Sequence, residues 1–171
     1  MAWTDSDVDG YHTFAKTYIE NFGNKIDCAD LALAALVDFA AAHSLPVRLR
    51  YYKDGAWAWY ELAAGSADAS KFKTKVMTML GALNVIDNTK AIPTATAKPG
   101  DLIMSKWSGS SGHTRIIHSL EYDPKAKDYQ VTWYQGNLPI VVPEKKSGPF
   151  SQIAGVYEGK PRRWKFSQFG Q

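Results

Sequence analysis

The sequence IDCADLALAALVDFAAA, residues 26–42, is an almost uninterrupted apolar stretch that begins with a cysteine between two aspartates. Asp27 is a good helix N-cap, and Asp30 places negative charge in the first turn, where a helix favours it. Only one further charged residue follows before the stretch ends. A helix that is apolar on nearly every side is surrounded by protein. The stretch therefore predicts a central buried helix from about Cys28 to His43.

Cys28 is the only cysteine of the chain, which excludes an intramolecular disulfide and a multi-cysteine zinc site. Unpaired N–H groups and the dipole at the start of a helix favour a thiolate, so the thiol pKa is expected to be lowered. The same N–H groups are suited to hold an oxyanion. Asp27 and Asp30 oppose the thiolate. Two interpretations stay open: a small buried side chain, or a nucleophile.

The composition predicts one globular domain, residues 1–171, with 45% apolar and 22% charged residues. A net charge of +3 is far below that of a dedicated nucleic-acid binder, so no nucleic-acid partner is expected. The N-terminus lacks the basic and apolar regions of a signal peptide, and no apolar run is long enough to span a bilayer. We expect a monomer that does not insert into membranes, with any export using a route other than a cleaved N-terminal signal.

The N-terminal half alternates helical and hairpin signals. Apolar residues at helical spacing predict a first helix from near Ser6 to Gly23. The alternating runs 47–52 and 56–62 flank the sequence KDG, a strong hairpin signal. A third helix is expected over 72–81.

The C-terminal half predicts a sheet. Residues 84–99 are expected to form a loop, and one or two strands are expected between 154 and 166. Period-2 alternation predicts three consecutive antiparallel strands at 101–107, 114–122 and 129–135. The charged runs EKK (144–146) and KPRR (160–163) are expected to be solvated. Helices followed by a meander sheet give the class α+β.

Two histidines lie on the second predicted strand. His113 opens it, directly after a glycine–serine turn, where a side chain lies at the accessible rim of a sheet. His118 is five residues further, so strand alternation places it on the opposite face. Only one of the two can therefore act as a base for the Cys28 thiol. The alternative is that both are ordinary structural or surface residues.

Two amides end the third predicted strand, in the sequence VTWYQGNLP. An amide oxygen can accept the second N–H of an imidazole and fix the ring, as a carboxylate does in other triads. Gln135 and Asn137 are the candidates for this role. The same Gln-Gly-Asn sequence is also typical of a turn.

This order of motifs resembles the papain-like amidases of bacterial cell walls, in two branches. IDCAD followed by LALAAL resembles the Asp-Cys-Ser-Gly helix start of NlpC-type peptidases, with Ala29-Asp30 in place of Ser-Gly. PGDLIMS followed by GHTRIIHSL resembles the Pro-Gly-Asp, apolar strand and Gly-His pattern of CHAP amidohydrolases. WYQGN resembles the CHAP ending Glu-x-Asn, with Gln135 at the glutamate position. The resemblance covers roughly residues 24–138.

The resemblance implies an α+β papain-like fold in which a central helix packs on an antiparallel meander sheet. It implies Cys28 as nucleophile, His113 rather than His118 as base, and Gln135, with or without Asn137, orienting the ring. No cofactor is implied. Three aspartates of the central helix lack supporting histidines, so no metal site is expected. The insertion between the central helix and Pro99 is expected to wall part of the cleft.

The implied substrate is a peptide or amide bond of peptidoglycan. A small domain of this type also resembles antibacterial amidase effectors of secretion machines such as type VI, which act in the periplasm of the target cell and are blocked by an immunity protein. A cytoplasmic location is the alternative. Two other functions stay open: a cysteine protease or acyltransferase acting on a protein, and a catalytically silent module that binds peptide or glycan.

Overall fold

A computed structural model describes all 171 residues and has four α-helices and eight β-strands. The helices are α1 Asp5–Asn21, α2 Cys28–Ala42, α3 Ala69–Met79 and α4 Ala82–Asp87. The strands are β1 Val47–Lys53, β2 Ala56–Leu62, β3 Thr89–Ala91, β4 Leu102–Lys106, β5 Gly112–Asp123, β6 Asp128–Gln135, β7 Glu144–Pro149 and β8 Arg162–Trp164. All strand pairs are antiparallel, and the α+β class is confirmed.

Helix α2 is the centre of the larger core, as the apolar stretch predicted. Its N-cap is Asp27, whose side chain accepts from the Asp30 N–H at 2.8 Å. Ten of its fifteen residues are buried. It packs against α1, α3 and β5, so apolar neighbours surround a helix that has almost no polar face of its own.

The main sheet has six strands in the order β3-β8-β4-β5-β6-β7. The central β4-β5-β6 meander is the one that the sequence predicted. Ile116 lies opposite Tyr134, and both face the helices in the larger core. Ile117 and Trp133 face the other way, in a smaller apolar cluster.

The predicted hairpin is confirmed as a separate two-stranded sheet of β1 and β2. Asp54 and Gly55 form its turn with φ values of 51° and 82°. Both are in the left-handed region, as a type I′ turn requires, and Asp-Gly tolerates it well.

Two expectations about secondary structure were wrong, and one about exposure. The third helix ends at Met79, because Leu80 and Gly81 adopt extended backbone conformations. Residues 84–99 are not a loop, since they contain most of α4 and all of β3. The EKK run is exposed, as expected, and it begins β7 at the sheet edge, where charged side chains are common because they discourage pairing with other chains. The KPRR run was also expected to be solvated, but Arg162 is buried and binds Thr89.

The Pro-Gly-Asp motif before β4 is a buried junction. Gly100 has φ +85°, and a Cβ there would lie 2.7 Å from the Cβ of Ala15 on α1. Asp101 is 1% exposed. Its carboxylate accepts two bonds from Arg163 on β8, at 2.9 and 2.7 Å. The motif therefore joins α1, β4 and β8.

None of the four helices combines the length and the apolar character needed to cross a membrane.

Candidate active site

The largest cavity has a volume of about 760 Å³ and lies where α2 begins. Its walls come from the α2 N-terminus, the β4–β5 turn, β5, the end of β6, β7 and the segment that follows β7. All four site residues predicted from the sequence line it: Cys28, His113, Gln135 and Asn137.

A close backbone contact fixes the start of α2 against the end of β6. A Cβ on Gly136 would lie 2.4 Å from the carbonyl oxygen of Asp27, so only glycine fits without a shift. Next to it, the Asn137 N–H donates to the Ile26 carbonyl at 3.3 Å, and the Ile26 N–H donates to the Val141 carbonyl at 2.9 Å. These contacts place the first turn of α2 beside β5.

Cys28 is half-buried at the start of α2, where its thiol lines the cavity. Burial raises the pKa of Cys28, and the charge of Asp27 adds to this. The backbone N–H of Thr114 on β5 opposes the rise in pKa, as do the N–H groups of Ala29 and of Cys28 itself. The raised pKa corrects the sequence expectation of a lowered one, because desolvation outweighs the helix-start donors. At neutral pH the group is a thiol.

His113 is a buried, neutral ring at neutral pH. Burial lowers the pKa of His113, and the nearby charges of Arg115 and Lys146 lower it further. A side-chain hydrogen bond with Gln135 acts in the opposite direction on this pKa, without reversing the shift. Trp107 stacks alongside the ring at a centroid distance of 5.8 Å. A neutral imidazole that opens on the cavity can accept a proton.

The two amides have different surroundings. Gln135 Oε1 accepts from Trp133 Nε1 at 2.9 Å, which holds the amide in one orientation beside His113. Asn137 is exposed, and its Oδ1 accepts from the Leu138 N–H at 2.9 Å within the turn. Gln135 is thus the amide placed to orient the ring, whereas Asn137 supports the chain where it leaves β6.

His118 lies on the opposite face from the cavity, as strand alternation predicted. Its ring packs beside Tyr134, and its Nε2 is 3.4 Å from Glu20 Oε2 on α1. His118 is not among the residues that line the cavity.

Part of the site was missed from the sequence. Arg115 and Lys146 both line the cavity. Arg115 follows His113 by two residues, so the alternation of β5 would have placed both on one face. The insertion expected to wall the cleft contributes no lining residue; β7 and residues 150–154 take that place. The EKKSGP sequence of β7 has no apolar alternation from which a strand could have been predicted.

No group of three or more His, Cys, Asp or Glu side chains is arranged to hold a metal ion. Comparison with known proteins identifies no family model, no curated protein and no solved structure that the chain matches. What the protein does must therefore be inferred from the residues of the cavity.

Proposed function

We propose that the protein is a cysteine amidase that cleaves an amide bond of peptidoglycan through an acyl-enzyme. One observation carries the proposal: a thiol at a helix N-terminus and a buried neutral imidazole line the same cavity. A papain-like fold is part of the proposal. It is supported by the packing of α2 against the antiparallel β5, with Cys28 as the first residue of the helix.

The reaction uses a neutral pair instead of a resident thiolate. His113 takes the proton of Cys28 as the sulfur attacks the amide carbonyl, and the S–C bond forms. The N–H of Cys28 contributes to binding the oxyanion. His113 then gives the proton to the departing amine. Water attacks the thioester with His113 again accepting a proton, which releases the acid and restores the thiol. Gln135 keeps the ring in position.

The biological setting follows from the same proposal. The cavity is of a size typical for small-molecule and peptide sites, and the motifs around Cys28 and His113 resemble those of cell-wall amidases. The protein then acts as an antibacterial effector in the periplasm of a target cell, and an immunity protein protects the producer by filling the cavity.

Incubation with purified peptidoglycan tests the proposal. The wild-type protein should release fragments with new amino and carboxyl ends, identified by mass spectrometry. Cys28→Ala should release none, whereas His118→Ala, which changes a histidine outside the cavity, should behave as wild type. Peptidoglycan left intact by the wild-type protein, or cut equally by Cys28→Ala, would overturn the proposal. If the protein cleaved other proteins but not peptidoglycan, the alternative function of a cysteine protease would be favoured.

A further inference from the structure

Arg115 is a buried arginine in the cavity that has no carboxylate partner. The residue is 9% exposed. Its Nη1 donates to Ser105 Oγ at 2.8 Å, and this is the one hydrogen bond that its side chain makes within the protein. A guanidinium has five N–H donors and stays charged at neutral pH. Burying such a cation without an anion costs free energy, so its presence calls for a ligand.

The other two arginines of the sheet show how this fold satisfies a shielded guanidinium. Arg162 binds the carbonyl and hydroxyl of Thr89 and the carboxylate of Glu158. Arg163 binds Asp101 with two bonds. Arg115 differs from both, because no aspartate or glutamate lies within ion-pair distance or lines the cavity around it.

Arg115 lies on the strand against which the helix of the thiol packs. Helix α2, which begins with Cys28, packs against β5, and Thr114 of β5 acts on the pKa of the thiol. His113 and Arg115 flank Thr114 on β5 and both line the cavity. The charge of Cys28, when it ionises, acts on the pKa of Arg115, which burial otherwise lowers. A ligand that reaches Cys28 therefore passes within reach of a preformed cation.

We infer that Arg115 binds a carboxylate of the substrate, a few atoms from the carbonyl that Cys28 attacks. A planar guanidinium matches a carboxylate through two parallel bonds. The inference deepens the proposed function, on which it rests for the scissile bond: the preferred amide substrate carries a carboxylate next to that bond. A neutral analogue would leave Arg115 buried and unpaired, so it should bind poorly.

Alkylation of Cys28 with two matched reagents tests the inference without any amidase assay. Iodoacetate and iodoacetamide both transfer a two-carbon group to the thiolate with loss of iodide, and they differ in carrying a carboxylate or an amide. Since both need the same thiolate, the thiol pKa cancels from the ratio of their rates. Cys28 is the only cysteine, so every label reports on this cavity.

The ratio of the iodoacetate rate to the iodoacetamide rate should be about tenfold higher in the native protein than in the same chain unfolded in urea. Arg115→Gln should return the ratio to the unfolded value. Lys146→Gln is the matched control, because Lys146 is a second cation of the same wall but is half exposed and 3.8 Å from Glu144. It should change the ratio less than about twofold.

Several outcomes would overturn the inference. A native ratio equal to that of the unfolded chain would do so even if Arg115→Gln failed to fold, and so would a thiol that neither reagent reaches in the native state. An equal fall in the rates of both reagents in Arg115→Gln would show that Arg115 stabilises the Cys28 thiolate instead of binding the carboxylate of the reagent. If Lys146→Gln lowered the ratio as much as Arg115→Gln does, the preference for iodoacetate would come from the general positive potential of the cavity and not from Arg115. If the native protein had a high ratio but left peptidoglycan intact, the proposed function would be wrong while the carboxylate site at Arg115 would stand.

Discussion

The protonation states of two side chains determine how the proposed reaction can start. Cys28 has a raised pKa and His113 a lowered one, both mainly through burial. Both shifts disfavour the thiolate–imidazolium pair in the empty cavity. The thiol must therefore lose its proton as the attack proceeds, with His113 as the acceptor.

The first prediction concerns this base. His113→Ala should lower kcat/KM about 100- to 10,000-fold, and His118→Ala should leave it within about twofold. Because the pKa of His113 is lowered, the ring stays neutral below its usual range, and the acid limb of the wild-type kcat/KM profile should lie below pH 6.5. Steady-state kinetics from pH 4.5 to 8 would measure both. If His118→Ala lost activity and His113→Ala kept it, His118 would be the base and the assignment of His113 would be wrong.

A second prediction concerns Gln135, the proposed positioning residue. Gln135→Ala should lower kcat about 10- to 1000-fold, well short of the loss in Cys28→Ala. It also removes a bond that favours the protonated ring, so the acid limb should move to lower pH. Gln135→Glu should keep substantial activity and move the limb to higher pH, because a carboxylate stabilises the imidazolium.

Circular dichroism is the folding control for both Gln135 variants. Trp133→Phe, which removes the donor that holds the Gln135 amide, should give a milder loss of the same kind. A folded Gln135→Ala protein with unchanged kcat and an unchanged pH profile would show that Gln135 does not orient the ring.

At the scale of elements, the junction between α2 and β6 sets where Cys28, the proposed nucleophile, lies. Gly136→Ala places a methyl group against the Asp27 carbonyl. The overpacking should cost about 1–3 kcal/mol of unfolding free energy. Displacement of Cys28 should lower kcat/KM about 100-fold in the protein that still folds. Gly23→Ala, at a glycine with open space around it, is the matched control. If Gly136→Ala and Gly23→Ala had the same unfolding free energy and the same kcat/KM, the contact between Gly136 and Asp27 would not set the position of Cys28.

A second element-scale feature is the half-buried carboxyl of Asp30 in the first turn of α2. Burial, with a contribution from the charge of Asp27, raises the pKa of Asp30 to about 7. Above its ordinary pKa of 3.8 the unfolded chain has released this proton while the folded protein still holds it. Raising the pH therefore favours unfolding, and this loss of stability is complete once the pH exceeds about 7.

Asp30→Asn removes the titration, so its stability advantage over wild type should be larger at pH 8 than at pH 5. Urea unfolding at both values would measure the difference. An Asp30→Asn advantage that is equal at both pH values would contradict the raised pKa.

Elements with a strong local pattern could be predicted from the sequence. The apolar run after Cys28 gave α2 within one residue, and the Asp-Gly turn gave the β1–β2 hairpin. Strand β7 could not be predicted, because an edge strand is fixed by pairing with β6 and has no apolar alternation of its own. The pKa of Cys28 could not be predicted either, since it depends on how much surrounding protein desolvates the thiol, whereas the sequence shows only the helix start.

At the scale of the whole molecule, one ion pair joins distant parts of the chain. Asp101 at the start of β4 and Arg163 on β8 are 62 residues apart. The Asp101 carboxylate also accepts from the Lys98 N–H at 2.8 Å. Next to it, Gly100 allows α1 to approach. None of these residues lines the cavity, so the PGD motif, one of the motifs that carry the resemblance, has a structural role in this fold.

The last prediction tests that role through an asymmetry. The side chain of Asp101 is 1% exposed, whereas that of Arg163 is 20% exposed. Arg163→Met leaves a buried carboxylate without its cation and should cost about 3–5 kcal/mol of unfolding free energy. Asp101→Asn leaves a guanidinium that can hydrate and still binds the Thr96 carbonyl, so it should cost about 1–3 kcal/mol.

The double variant Asp101→Asn/Arg163→Met should cost less than the sum of the two single changes, because the unpaired charge is gone. Arg48→Met removes an ion pair to a largely exposed Glu61 carboxylate and should change stability by about 1 kcal/mol or less. Urea titrations of the four proteins and wild type give the cycle, and kcat/KM per folded molecule should stay unchanged for the Asp101 and Arg163 variants. If Asp101→Asn proved costlier than Arg163→Met, or if the single effects simply added, the buried carboxylate would not depend on Arg163, and β8 would be held to the sheet by its strand pairing alone.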